Sequence, residues 1–227
     1  MVSSFITGAF AQDESAPSSG AFTFGARAGF VTSTFSHEQP AMGYKIGFTV
    51  AAIVNYGISD KFSVQAEPAY LHSVFTRYYD DTRFGDTSPF ANYSTTDNIT
   101  LHNIDLPVLA KYYLPKLGEF QPNIVLGPAV SYTINADDHF TKTYNLQQVF
   151  SSATGYKFVT SEYEKFSVGA TAGIGGEVSL GGKRLLIDLR YRYGITPVKK
   201  GFSYIDLSGV QKDLRTHSIY FSLGIGI

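Results

Sequence analysis

The 227-residue sequence contains no cysteine and no tryptophan. Without cysteine there is no disulfide framework, no thiolate nucleophile and no Cys-ligated metal. Charge is also scarce, at 16% of residues against roughly 25% in ordinary soluble domains. The formal net charge is −1, so there is no basic field to hold nucleic acid, and nucleic acid is not an expected partner. No run of about 18 apolar residues occurs, which excludes a transmembrane helix. It does not exclude a membrane. A closed barrel satisfies its backbone groups between strands and needs only alternation.

What is abundant is aromatic and small: 18 Phe, 16 Tyr and 22 Gly. Hydropathy repeats every second residue, the period of strands and not of helices. Eight segments carry it: Phe22 to Thr32, Tyr44 to Tyr56, Lys61 to Thr76, Thr100 to Leu114, Phe120 to Ala136, Glu164 to Leu180, Lys183 to Thr196 and Thr216 to Ile227. Most are long enough for a tilted strand to cross the hydrocarbon layer, which takes roughly 9–11 residues. The connections alternate. Gly57–Asp60, Pro115–Glu119 and Gly181–Gly182 are short; Ser33–Gly43, Arg77–Ile99, Asp137–Tyr163 and Pro197–Arg215 are long, polar and read as exposed loops. Short periplasmic turns and long external loops are the outer-membrane layout.

One face of every segment is free of charge. Phe22, Phe24, Ala26, Ala28 and Phe30 illustrate it, as do Ile219, Phe221, Leu223, Ile225 and Ile227. The other face carries Arg27, Lys45, Glu67, Asp105, Lys111, Glu177, Asp188, Arg190 and Arg192 among many glycines and serines. A soluble lipocalin-like barrel would turn the second face to water. Glycine there would weaken the strands, and a denser cover of Lys, Glu and Thr is expected. A narrow eight-stranded membrane barrel needs small residues inside and charges that pair with one another. The near balance of charge amid glycine favours the membrane barrel. The nine charged residues are then an interior polar network, a structural set with no catalytic, cofactor-binding or metal role. Tyr56, Phe62, Tyr112, Tyr113 and Phe120 flank the short turns and are placed in an aromatic girdle.

The remaining organisation follows. Residues 1–11 read as the remnant of a signal peptide: Phe5 to Ala11 is apolar, and Ala9-Phe10-Ala11 fits cleavage before Gln12, although no basic residue precedes it. Residues 12–21 read as a disordered mature N-terminus and 22–227 as one barrel domain. The last strand, Tyr220 to Ile227, reaches the final residue and resembles the signal read by the outer-membrane assembly machinery, with Ile227 where an aromatic residue is usual.

Several stretches resemble the PorT-like small outer-membrane barrels, the outer membrane protein beta-barrel domain family common in Bacteroidota. They are Phe62-Ser63-Val64-Gln65-Ala66-Glu67-Pro68-Ala69-Tyr70, Ile104-Asp105-Leu106-Pro107-Val108-Leu109-Ala110-Lys111-Tyr112-Tyr113, Gly127-Pro128 and Leu189-Arg190-Tyr191-Arg192-Tyr193-Gly194. Their order and spacing span roughly Phe22 to Ile227. The sixth segment departs, with Lys165-Phe166-Ser167 where the family often has an acidic residue. The resemblance implies an eight-stranded barrel, a signal peptide and outer-membrane insertion, and no catalytic residues.

Candidate chemistry is sparse. His72, His102 and His217 fall near the outer strand ends, where they could approach one another with Ser73 or Ser218 as a nucleophile acting on lipid or peptide. His37 and His139 lie in long loops. Asp137-Asp138-His139 and Asp80-Asp81 could hold a divalent cation, or bridge lipopolysaccharide through one, but they also read as solvated loop charge. No cofactor is expected. The expected partners are outer-membrane lipid and lipopolysaccharide, the barrel assembly machinery during insertion, and a protein partner at the long loops.

Overall fold

The computed structural model describes residues 19–35, 45–80, 91–146, 149–199, 203–205 and 211–227. The signal-peptide expectation for residues 1–11 lies outside them, as does most of 12–21. The strands are β1 (Phe22–Phe35), β2 (Ile46–Ser59), β3 (Phe62–Ala66), β4 (Ala69–Asp80), β5 (Ala91–Tyr113), β6 (Phe120–Leu146), β7 (Val149–Phe158), β8 (Phe166–Leu180), β9 (Lys183–Gly194), β10 (Ser203–Ile205), β11 (Gln211–Asp213) and β12 (Thr216–Gly226). Among the described residues the only helical piece is a single 3-10 turn, Thr160–Glu162, and no helix is long enough to cross a membrane.

The sheet closes on itself. β1 pairs with β2 on one side and β12 on the other, and β12, β9, β8, β6 and β5 follow in antiparallel order. β3 and β4 both pair with β2 and with β5, so they are two lengths of one stave interrupted at Glu67-Pro68. Pro68 has no N–H to donate, but its carbonyl still accepts from the Ala52 amide at 3.0 Å, so the wall stays continuous. The result is an eight-stave antiparallel barrel that contains all eight sequence segments.

Each short turn has local cause. Gly181 and Gly182 join β8 to β9 with φ of 56° and 80°, a two-residue turn whose positive angles match the twist of the flanking strands. Gly127 serves a different need. A Cβ there would collide with the Val108 carbonyl, so β5 and β6 can approach this closely only across a glycine.

The long connections differ from expectation. Arg77–Ile99 and Asp137–Tyr163 are in large part strand. β5 is 23 residues long and β6 is 27, well over the roughly 9–11 that span the hydrocarbon. Their upper lengths pair from Ala91↔Leu146 downward, and β7 pairs along β6 from Leu146↔Val149 to Asp137↔Phe158. Composition misled here. These segments are rich in Thr, Asn and Asp, which read as turn formers, but beyond the membrane a polar outward face is what a strand in water requires.

The wall sorts side chains as the alternation demands. Phe30 (65% exposed) and Leu126 (61%) stand outward, whereas Glu67 (2%) and Arg190 (5%) are enclosed. That orientation disposes of the soluble lipocalin-like reading, in which the apolar face would be inside. Aromatic pairs mark two levels. Phe22–Tyr56 and Phe62–Tyr112 lie near the short turns, both with ring centroids 4.8 Å apart. Phe48–Tyr70 at 5.9 Å and Tyr132–Phe166 at 5.0 Å lie nearer the long-strand end. Tyr56 and Phe48 are eight residues apart on β2, or about 20 Å along the barrel axis for a strand tilted by roughly 40°. That approaches the apolar band of about 25 Å in outer-membrane barrels. Tyr113 does not join the lower girdle as expected; it is inward and only 2% exposed.

Candidate functional site

Three ionic groups stack along the lumen. At the short-turn end, the Lys111 ammonium contacts the Glu177 carboxylate directly. Arg184 Nη1 donates to the other Glu177 oxygen at 3.1 Å, and the Tyr113 hydroxyl donates to Glu177 at 3.4 Å. In the middle, Glu67 receives Arg190 Nη1 at 2.9 and 3.0 Å, Arg27 Nη2 at 3.2 Å and the Gln65 amide. Asp188 receives Arg27 and Arg190 at 3.2 Å each, which closes a ring of two cations and two anions. Above it, Arg192 contacts Asp105, and Ser131 completes the triangle by donating to Asp105 at 2.6 Å and accepting from Arg192 Nη2 at 2.7 Å. The backbone register explains the clustering. Asp188, Arg190 and Arg192 alternate inward along β9, and Glu67 sits at the break between β3 and β4, its amide donating to the Pro107 carbonyl at 3.1 Å.

Eight of the nine sequence-derived network residues are therefore enclosed together. Lys45 is the exception: it precedes β2 and is exposed. Its parity matches the inward face, but the position lies beyond the enclosed stretch. Arg184 takes a place that the sequence reading missed, although it lies on the same side of β9 as Asp188. Gln65 was missed as well, and Ser131 was placed on the inward face as a small residue but given no part in the network. Both lack charge, which hid their roles.

Above the ions the interior changes character. Ser33 and Ser218 share a 2.8 Å hydrogen bond, with Ser73 at 3.5 Å. Beyond this belt lies an apolar cluster of Phe35, Phe75, Ile99, Leu101, Ala136, Val159, Tyr163, Val198 and Leu214. Phe35 and Phe75 stack with centroids 4.1 Å apart. A cavity of about 30 Å³ separates this cluster from the ions, with Asn103, Ser131, Arg192, Ser218 and Tyr220 in its lining, and one of about 10 Å³ lies near Lys111 and Glu177. Each has room for about one or two water molecules at most.

His72, His102 and His217 do not form a catalytic cluster. His72 and His102 meet edge to face at 5.0 Å on the outer side of the wall. His217 instead accompanies Tyr191, whose hydroxyl lies 2.6 Å from His217 Nδ1. Ser73 and Ser218 are inward, 3% and 6% exposed, so the wall itself separates them from the imidazoles. Adjacent residues in a strand point to opposite faces, and this makes His72-Ser73 and His217-Ser218 geometrically unfit as base–nucleophile pairs. The same rule splits Asp137-Asp138-His139. Asp138 sits opposite the inward Ile99, while Asp137 lies against outward His102 at 3.7 Å. Among the described residues no group of three or more His, Asp or Glu is placed to hold a metal. His37, Asp81 and the Asp80 side chain lie outside the described residues.

An apolar wall of membrane-spanning height around a lumen of paired charges defines an integral outer-membrane barrel. The model of the family described as outer membrane protein beta-barrel domain matches residues 10–200, and the chain belongs to that family, in the bacterial outer membrane. No curated protein sequence matches it. Among solved structures it is similar to Neisserial surface protein A, at 16% identity over 91% of this chain and 96% of that one, with a TM-score of 0.40. It is also similar to OprG from Pseudomonas aeruginosa (14%, 93% and 97%, TM-score 0.43) and to Ail from Yersinia pestis (10%, 92% and 99%, TM-score 0.38).

Proposed function

We propose that this chain is a closed outer-membrane barrel with a structural or interaction role and no catalysis of its own, of the PorT-like kind within its family. The supporting observation is the double filling of the lumen. Paired ions line the membrane-spanning length and an apolar plug the end beyond it, and among the described residues the cavities beside them measure about 30 and 10 Å³. Interior charge of this kind locks staves together, because each ion is enclosed with a partner of opposite sign. In this reading the short turns face the periplasm and the long strands reach outward to lipopolysaccharide or a protein partner. A cleaved leader and the barrel assembly machinery bring the chain there. For the PorT-like placement, the Ile104 to Tyr113 segment gives the main support.

Planar-bilayer recording tests the closed lumen. Purified protein is expected to show no stable unitary steps. Reproducible openings that persist across preparations would show that the filling is not a seal, and the reading would then turn to conduction.

A further inference from the structure

The outward face of β5, β6 and β7 above the upper aromatic level has its own chemistry. Ile104 pairs with Tyr70 and Tyr132 at that level. Four residues further along β5, Thr100 lies opposite Asp137, which lies opposite Phe158. At about 3.4 Å per residue and a tilt near 40°, this row stands about 10 Å beyond the girdle, outside the hydrocarbon.

Phe158 (68% exposed) and Tyr156 (48%) project there from β7. Their rings meet edge to face at 4.9 Å, and His139 lies against Tyr156 at 4.6 Å. Beneath them the polar groups are fixed. The Tyr156 hydroxyl donates to Asp137 Oδ1 at 2.7 Å, Asn135 Nδ2 donates to both Asp137 oxygens at 3.1 and 2.9 Å, and the Thr160 hydroxyl donates to Asn135 at 2.7 Å. The next outward rows pair Thr141 with Thr154 and Thr143 with Ser152. A tyrosine ring anchored on Asp137, which Asn135 in turn holds, a phenylalanine ring packed on that tyrosine, and hydroxyls at the border suit a ring that is apolar on its faces and hydroxylated at its rim.

We propose that this face binds the sugar headgroup of the outer-leaflet lipopolysaccharide. Height and direction select that source. The face looks sideways along the membrane at headgroup level, so a protein or free glycan arriving from outside would have to displace lipid to reach it. Tyr and Phe are amphipathic or apolar anchors at such boundaries, and rings already held in place lose little freedom on binding. The proposal deepens the partner named above and rests on outer-membrane placement, not on the sealed lumen. A conducting barrel would leave it standing, and its failure would leave the closed barrel standing.

The test uses the full chain in lipid nanodiscs, with labelled lipopolysaccharide as the probe. Lipid-free core oligosaccharide and a phospholipid without sugar serve as competitors. Wild type is expected to bind the probe, the oligosaccharide to compete and the phospholipid not. Y156A/F158A is expected to weaken binding at least tenfold while keeping the heat-dependent gel shift of a folded barrel. Should the double variant not fold, F158A alone carries the test, because that ring is largely exposed; a loss of threefold or more is expected. Competition by phospholipid equal to that by oligosaccharide overturns the proposal, as does unchanged binding by a folded variant.

Discussion

The lumen has two halves made from the same strands and the same parity, and they are filled with opposite chemistry. On β1, Arg27 and then Ser33 and Phe35 all point inward; on the β3–β4 stave, Glu67 and then Ser73 and Phe75 do so. Below the serine belt the outside is hydrocarbon, so apolar side chains gain nothing from turning inward and the lumen takes the charges. Above it the outside is polar headgroup and then water, and burying Phe35, Phe75 and Leu101 removes apolar surface from those polar surroundings as in a soluble core. What lies beyond the wall decides what fills it. The serine belt marks where the solvent changes.

Breaking the ionic half is expected to have the largest effect. Glu67→Ala leaves Arg27 and Arg190 enclosed without their shared carboxylate. The loss of an enclosed partner costs about 3–5 kcal/mol. Urea unfolding in vesicles, followed by loss of the heat-dependent gel shift, should show it as one cooperative destabilisation. A change below about 1 kcal/mol would mean that water reaches these ions and that the lower half is not sealed.

Breaking the apolar half should cost slightly less and behave differently. Phe75→Ala removes the ring stacked on Phe35 and leaves a void, worth about 3 kcal/mol. Its damage should be local. Protease added from the long-strand side should cut the variant faster in this region, while the membrane-embedded length remains protected. Uniform sensitivity along the chain would show that the two halves do not fold as separable units.

A third substitution probes the wall between the halves' strands. Gly127→Ala places a Cβ against the Val108 carbonyl. Overpacking of that kind costs about 1–3 kcal/mol, because the atoms the new Cβ meets are backbone and not the movable end of a side chain. Urea titration under the same conditions gives the comparison; no loss would mean that the ladder gives way there at little cost.

The two halves were not equally legible in the sequence. The membrane half announces itself, since alternation between Phe or Leu and Arg, Asp or Gly survives every local irregularity. All eight staves and eight of nine lumen charges follow from it. The upper half keeps the period but reverses its sense, so Phe35 and Ile99 read as parts of long loops and Phe75 as the end of a strand. The extra residue at Ile134, a bulge that pairs His102 with Asn135 but Asn103 with Thr133, also shifts parity within β6. Ala136 becomes inward where Ile134 is outward, and simple alternation cannot anticipate that. Lys45 failed for a simpler reason. Parity gives the side of the wall but not whether the wall still encloses anything at that height.

The smallest expected effect concerns how the upper half is held shut. Glu162, in the 3-10 turn after β7, accepts from Lys157 at 2.9 Å and from Lys199 at 3.1 Å. It thereby ties the β7 end to the segment after β9, directly over plug residue Tyr163. Hydrogen bonding from Lys157, and next from Lys199, holds its carboxyl below the ordinary value of 4.5. A lowered carboxyl pKa gives a contribution that is complete above 4.5 and fades as pH falls through the lowered value. Acidification below 4.5 should therefore loosen the cap over the plug, and Glu162→Gln should do so at neutral pH. Because the group is partly exposed, solvent screens the pair and the effect is modest. Hydrogen exchange at the Glu164 amide, which donates to the Val198 carbonyl at 2.9 Å, is the sensitive readout. Its protection should fall by no more than about fivefold, with the membrane-embedded amides unchanged. An equal rise in exchange throughout the barrel would mean that the clamp serves the whole fold and that the boundary between the halves is not a mechanical one.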